Sequence, residues 1–263
     1  MKEIPLDKLW DQFELNINES AIISLGALKL VIRHEAKEWS LAYDWFEQDD
    51  DIASYVFGSA NDFSEIQSNT HRYAYSLDSN LLRLSAKLAD RSIVTRPRVP
   101  FYLLAKQKTW LYVSSPIWIE VIIGTDTVLK EIPVFRPSDT WFGINTTEGE
   151  IAYSTRTHAR QSLDETSDKQ YRAITPVELI NNTNDSIYLE RISLPVPMLH
   201  LFSDYKNNLW TSPLTIVREA NNGTSIKIES TPPAQADDIK QLSSPRQETE
   251  RNVFTKTIHA LFG

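Results

Sequence analysis

Hydrophobic and polar positions alternate with a period of two along most of the chain. Trp39, Leu41, Tyr43 and Trp45 are interleaved with Ser40, Ala42 and Asp44, which puts four large side chains on one packed face of a strand and leaves the other to solvent. Residues 28–33 read as its hairpin partner, and the acidic run 48–51 ends it. Tyr73, Tyr75 and Leu77 alternate, as do Leu82, Leu84, Ala86 and Leu88 against Arg83, Ser85 and Lys87. Residues 109–114 and 117–123 are dense strand candidates separated by Ser115-Pro116, where proline cannot donate to a ladder and marks a bend or an edge. Residues 128–135, 150–157, 174–180, 187–194, 198–202, 214–217 and 225–229 continue the pattern, with 181–185 and 221–223 as turns.

Two segments depart from it. Leu6, Leu9, Trp10 and Phe13 fall at helical spacing after Pro5, which predicts a short amphipathic helix. Residues 230–243 are polar and proline-containing and read as a linker. Ser244-Pro245-Arg246-Gln247 then has the form of a capping box with proline at the first helical position. Val253, Phe254, Ile258, Leu261 and Phe262 form one apolar stripe, so a C-terminal helix is predicted over 246–262. The expected class is all-β: two β-sandwich-like domains, residues 1–135 and 136–229, with short N- and C-terminal helices, the second following the linker within 230–263. Arg136-Pro137 marks the expected break.

Composition narrows the function. The net charge is −8, and an acidic surface repels phosphate backbones and anionic lipid, so neither nucleic-acid binding nor membrane docking is expected. There is no cysteine, which excludes disulfides, thiol catalysis and Cys-ligated metal. The start, MKEIPLDKLWDQFEL, has early acidic residues and no unbroken apolar core, and the most apolar run, 117–123, carries Glu120. The expectation is a cytoplasmic protein with no secretory signal and no membrane insertion. Five N-x-[ST] triplets, starting at Asn18, Asn145, Asn181, Asn184 and Asn222, read as chance in an Asn-rich chain.

The densest polar stretch is 138–161, SDTWFGINTTEGEIAYSTRTHARQ. Glu148-Gly149 sits between two strand-like runs as a tight turn requires. Ile151, Tyr153, Thr155 and Thr157 alternate with Ala152, Ser154, Arg156 and His158, so the stretch reads as a hairpin. A Ser154–His158–Asp164 triad has the right residue types, and Arg156 and Arg172 complete a dispersed hydrolase constellation, but no G-x-S-x-G elbow or phosphate loop supports it. His34, His71, His158, His200 and His259 stand apart, with no metal-binding spacing; Asp49, Asp50 and Asp51 read as a solvated run. No metal or cofactor is expected. Trp39 and Trp45 could form a sugar-binding row if exposed, and read as core instead, as do Trp110, Trp118, Trp141 and Trp210.

The motifs VSSPIWIEV (113–121), SDTWFG (138–143), GEIAYSTRT (149–157), YRAITPVELINNT (171–183), ISLPVPML (192–199) and LWTSPL (209–214) together resemble an uncharacterised prokaryotic family, the domain-of-unknown-function family numbered 432. The resemblance spans about residues 26–228 and implies no activity, ligand or catalytic residue. The functional expectation is a non-enzymatic binding or assembly protein. Its partner surface would be the stripe Val253, Phe254, Ile258, Leu261 and Phe262, taking a protein partner or a second copy. The alternatives are a small-molecule or carbohydrate-binding module using exposed aromatics and a hydrolase around Ser154 and His158.

Overall fold

The computed structural model describes residues 2–3, 8–46, 53–59, 66, 69–74, 79–143, 145–163, 171–220, 223–248 and 253–256, with side chains at all of these except 2–3, 53–55, 59, 155–158 and 253–256. The described residues form strands and turns and contain no α-helix, in keeping with the all-β expectation. The chain makes two compact units, Met1–Lys87 with Ile117–Arg136, and Leu88–Pro116 with Pro137–Gly263. It therefore passes between units after Lys87, after Pro116 and after Arg136. Both proline-marked breaks seen in the sequence, at Pro116 and at Arg136-Pro137, are passages of this kind.

The first unit holds two antiparallel sheets. The larger runs, in spatial order, β1 (Lys2–Glu3), β6 (Ala53–Ser59), β3 (Glu19–Leu25), β4 (Leu28–Glu35), β5 (Glu38–Trp45) and β7 (His71–Ala74). The smaller runs β13 (Thr127–Pro133), β12 (Trp118–Ile123), β8 (Leu81–Lys87) and β2 (Gln12–Glu14). The two meet through particular side chains. Phe13 of β2 lies 5.4 Å from Phe57 of β6, and the Trp45 indole donates to the Pro133 carbonyl at 2.9 Å. Ala21, Ile23 and Leu25 of β3, Leu28, Leu30 and Ile32 of β4 and Trp39 and Leu41 of β5 are all buried on one face. That is the face the period of two selects. The opposite face of β5 is half-buried rather than open: Ile66 packs there on Val31 with Ile22, Ala42 and Val56.

The second unit holds three sheets. One runs β14 (Ser138–Gly143), β15 (Gly149–Ala159), β9 (Ile93–Pro97) and β18 (Ile192–Leu194). Another is a two-stranded ribbon of β10 (Phe101–Leu103) and β17 (Ile187–Leu189). The largest is built on β11 (Lys108–Pro116) and β16 (Arg172–Asn181), antiparallel along their whole length. The other edge of β16 pairs in parallel with β20 (Leu209–Thr211) and then with β21 (Leu214–Arg218). From β20 the sheet continues to β19 (Leu201–Ser203) and β23 (Lys240–Ser243), and from β21 to β22 (Thr224–Ile228) and β24 (Val253–Lys256).

Three expectations about the ends are corrected. The N-terminal amphipathic helix is not seen among the described residues: Lys8 lies in a 3₁₀ turn, and Gln12–Glu14 form an edge strand on β8, with Gln12 opposite Arg83 and Glu14 opposite Leu81. Phe13 and Leu15 are buried while Gln12 and Glu14 are exposed. A period of two thus overrides the helical spacing, because a neighbouring strand edge supplies ladder partners. Residues 230–243 are not wholly a linker, since Lys240–Ser243 pair with β19. The capping-box segment does not start a helix. The backbone N–H groups of Arg246 and Gln247 donate instead to the Pro197 carbonyl, at 2.8 and 3.0 Å, and Arg246 Nε donates to Leu88 O. Val253–Lys256 is strand, with Phe254 opposite Ile226. The β-branched and aromatic Val-Phe-Thr sequence suits a ladder better than an isolated short helix suits water.

Candidate functional site

The hairpin reading of 138–161 holds. β14 and β15 pair with Gly143 opposite Gly149, and the loop between them is closed by Asn145, whose Oδ1 accepts from Thr147 N, Thr147 Oγ1 and Glu148 N at 2.7–2.8 Å. The Trp141 indole donates to the Asn145 carbonyl. A Cβ on Gly149 would stand 2.6 Å from the Phe142 carbonyl oxygen, so only glycine fits this close approach.

The proposed catalytic constellation is not assembled among the described side chains. Ser154 and His158 lie four residues apart on β15, where the pairing with β9 shifts register between them, Ser154 opposite Val94 and His158 opposite Arg96. The side chains of Arg156 and His158 lie outside the described residues, as does Asp164 entirely. Arg172 is engaged elsewhere, donating to Ser114 Oγ at 3.0 Å and to Ser114 O at 2.9 Å. Tyr153 next to Ser154 donates to Asp90 at 2.9 Å; burial, with that hydrogen bond, pushes its hydroxyl up to about 12, so it stays neutral near pH 7 and cannot act as a base.

A serine–histidine pair that the sequence reading did not single out does occur. His200 Nδ1 lies 3.3 Å from Ser212 Oγ, and the same oxygen accepts the His200 backbone N–H at 3.2 Å. Ser212 is fully buried and burial lowers the His200 pKa. The nearby Asp204 carboxylate is taken by the Trp210 indole and by Asn208. A nucleophile needs access and an oriented base; here the Ser212 hydroxyl is buried and the Asp204 carboxylate is engaged by other donors. Among the described residues no group of three or more His, Asp or Glu is placed to hold a metal ion. No helix of the described residues is long and apolar enough to cross a membrane.

The aromatic row is core. Trp39 is 0% exposed and stacks on His34, while Trp45 is half-buried. Val253 and Phe254 of the expected partner stripe lie in β24; Ile258, Leu261 and Phe262 lie outside the described residues.

Trp110 and Trp141, expected as core, are instead exposed, and a further exposed aromatic pair stands on the β10–β17 ribbon. Tyr102 and Tyr188 are cross-strand partners, 65% and 42% exposed, with ring centroids 4.9 Å apart. Leu104, two residues on from Tyr102, is 63% exposed. Leu103 and Leu189, on the inward face, are buried. Alternation therefore forces Tyr102 and Tyr188 outward. The ribbon is held by Asn181 at the end of β16. This fully buried amide donates from Nδ2 to the carbonyls of Leu103, Leu104 and Asp185, and accepts at Oδ1 from Thr183 N and Oγ1. Its burial also removes it as a glycan acceptor. Residues 95–108 and 181–191, which carry the ribbon, hold five basic and two acidic side chains in a chain of net charge −8.

A second feature is a recess of about 330 Å³ on the outer face of the six-stranded sheet. Val31, Ala42 and Ile66 line it on the apolar side, and Arg33, Ser40 and Thr70 on the polar side.

Comparison with curated proteins and with solved structures finds no match to the chain. One family model matches residues 9–262, which extends the resemblance over about residues 26–228 to nearly the whole length. On that match the chain belongs to the family described as "Protein of unknown function (DUF432)".

Proposed function

We propose that the protein is a non-enzymatic binding or assembly protein of β-sandwich type, working in the cytoplasm, and that its partner surface is the β10–β17 ribbon. The observation that carries this reading is the Tyr102–Tyr188 pair with Leu104 beside it, standing out from a rigid two-stranded support. Tyrosine presents a large apolar body and a polar tip at low entropic cost, and is enriched where protein surfaces meet. The rings are tilted 44° to each other, a wedge suited to a pocket on a partner rather than a flat platform for a sugar ring. The basic flanks select an acidic protein surface. The sandwich description is supported by the Phe13–Phe57 and Trp45–Pro133 contacts between the two sheets of the first unit. The cytoplasmic assignment is supported by the absence of cysteine, the composition of a reducing compartment.

The test is affinity purification of tagged full-length protein from its own cells, with the wild type and a Tyr102→Ser/Leu104→Ser variant side by side. A stoichiometric acidic partner that the wild type retains and the variant loses supports the proposal. No partner, or one retained equally by both, overturns it.

A further inference from the structure

Strand register lays out the outward face of the β14–β15 hairpin. Asp139, Trp141 and Gly143 share one face of β14, opposite Tyr153, Ile151 and Gly149 of β15. Gly143 and Gly149 carry no side chain, and the Trp141 indole occupies the space they leave: a Cβ on Gly149 would stand 2.8 Å from Trp141 Cε2. The indole N–H is tied down at the same end of the hairpin, donating to the Asn145 carbonyl at 2.8 Å. The ring is therefore fixed before any ligand arrives, which removes an ordering cost from binding. It stays 43% exposed, beside Ile151 at 56%.

Covering the glycine pair accounts for the side of the ring turned to the hairpin. The side turned to solvent is a π surface whose negative face attracts C–H groups, and the indole's single donor is already spent on Asn145. Polar groups lie one strand repeat away. Asp139 Oδ1 accepts from Arg91 at 3.2 Å, and the Arg91 guanidinium lies 5.2 Å over the Tyr153 ring. The Asp139 and Arg91 side chains are 67% and 43% exposed. Their contact engages one carboxylate oxygen, and the second can accept from a hydroxyl.

These features select the class of ligand. A protein hot spot sits near the centre of a desolvated patch, whereas Trp141 is bordered by the exposed Asp139–Arg91 pair and the polar loop 145–148. A nucleotide would also stack on the indole, but Asp139 and Glu148 on the hairpin, in a chain of net charge −8, repel phosphate. A pyranose with equatorial hydroxyls, such as β-glucose, has a face of C–H groups and a rim of hydroxyls, which matches both parts of the surface. The hairpin belongs to a different sheet from the β10–β17 ribbon, so the two surfaces are tested separately.

We infer that this face binds a neutral β-glucan, with one sugar ring stacked on Trp141 beside Ile151 and a hydroxyl of the next ring on the Asp139–Arg91 pair. The probe is cellotetraose, titrated into the full chain and followed by NMR at the Trp141 indole N–H and the Ile151 methyl groups, with adenosine monophosphate as the competing stacker. Saturable shifts at both positions are expected with cellotetraose. Trp141→Ala should abolish binding, read at Ile151, in a protein with unchanged circular dichroism. Trp141→Phe, which keeps an aromatic ring and loses the N–H anchor, should weaken binding without abolishing it. Asp139→Ala alters an exposed side chain and should weaken binding at least about fivefold, the worth of a hydrogen bond to a charged group. Absence of saturable binding overturns the inference. So does tighter binding of adenosine monophosphate, cellotetraose binding that survives Trp141→Ala, or an affinity unchanged by Asp139→Ala.

Discussion

Trp39 lies flat against His34, its cross-strand partner, with ring centroids 4.2 Å apart and planes within 8° of parallel. His34 Nδ1 in turn lies 2.6 Å from the Leu15 carbonyl, tying the start of the chain to the six-stranded sheet. The indole nitrogen of Trp39 is buried without a partner. Trp39→Ala should therefore cost about 3–5 kcal/mol, the range for emptying a large aromatic site. Trp39→Phe should cost clearly less, because it also removes an unsatisfied donor worth ~1–3 kcal/mol. Urea unfolding of the two variants checks the order. Equal losses would show that the ring's area alone does not set the stability here.

Asn181 joins the fold to the proposed partner surface, since one amide holds Leu103, Leu104 and Asp185. Asn181→Ala orphans several buried groups at once and should destabilise by about 3 kcal/mol or more. Asn181→Asp should be at least as costly at neutral pH, because it turns a carboxylate towards three carbonyl oxygens. In both variants hydrogen exchange of residues 101–104 should accelerate. An unchanged exchange pattern there would mean the ribbon is held by other contacts.

Burial lowers the pKa of His200 from its ordinary 6.5. Between its folded and unfolded values the unfolded chain binds more protons, so stability rises with pH through that window. The contribution is full above about pH 6.5 and is lost as pH falls towards the folded value. His200→Gln should flatten the melting temperature against pH between about 5 and 7, and the wild-type ring should titrate below 6.5 by NMR. A ring that titrates above 6.5 would contradict the half-buried placement of His200.

β24 covers the edge of β22, with Phe254 opposite Ile226 and Val253 opposite Lys227. Truncation after Glu248 uncovers that edge, so melting should fall, by roughly 2–4 °C per kcal/mol for a chain of this size. Self-association should also rise, since a bare strand edge invites pairing. Sedimentation and thermal scans read both. A truncated chain with unchanged melting and mass would show that β24 contributes nothing to the sheet.

Local alternation was enough to locate β5, β12 and the β14–β15 hairpin, because one buried face imposes a period of two on consecutive residues. It failed where two periods coexist. Leu9 and Phe13 fit a helix, yet Phe13 and Leu15 also fit a strand, and the β8 edge decides between them. The same holds at Val253 and Phe254, where pairing with β22 outweighs the spacing to Ile258. The ribbon was legible only in part: residues 187–194, which hold β17, read as strand, but β10 and its pairing did not. Tyr102 and Tyr188 stand far apart in the chain, and neither segment announces which strand will face it. The recess was hidden for a similar reason: Arg33 and Ser40, like Val31 and Ala42, become neighbours only through register across two strands.

The most direct measurement of the central claim is photo-crosslinking in the native cell, with a benzoyl-phenylalanine placed singly at Tyr102, at Tyr188 and, as an exposed control, at Val128 of the other unit. The account predicts one and the same adduct from positions 102 and 188 and none from 128. The same adducts from all three positions, or no adduct from 102 and 188, would contradict a partner surface on the ribbon.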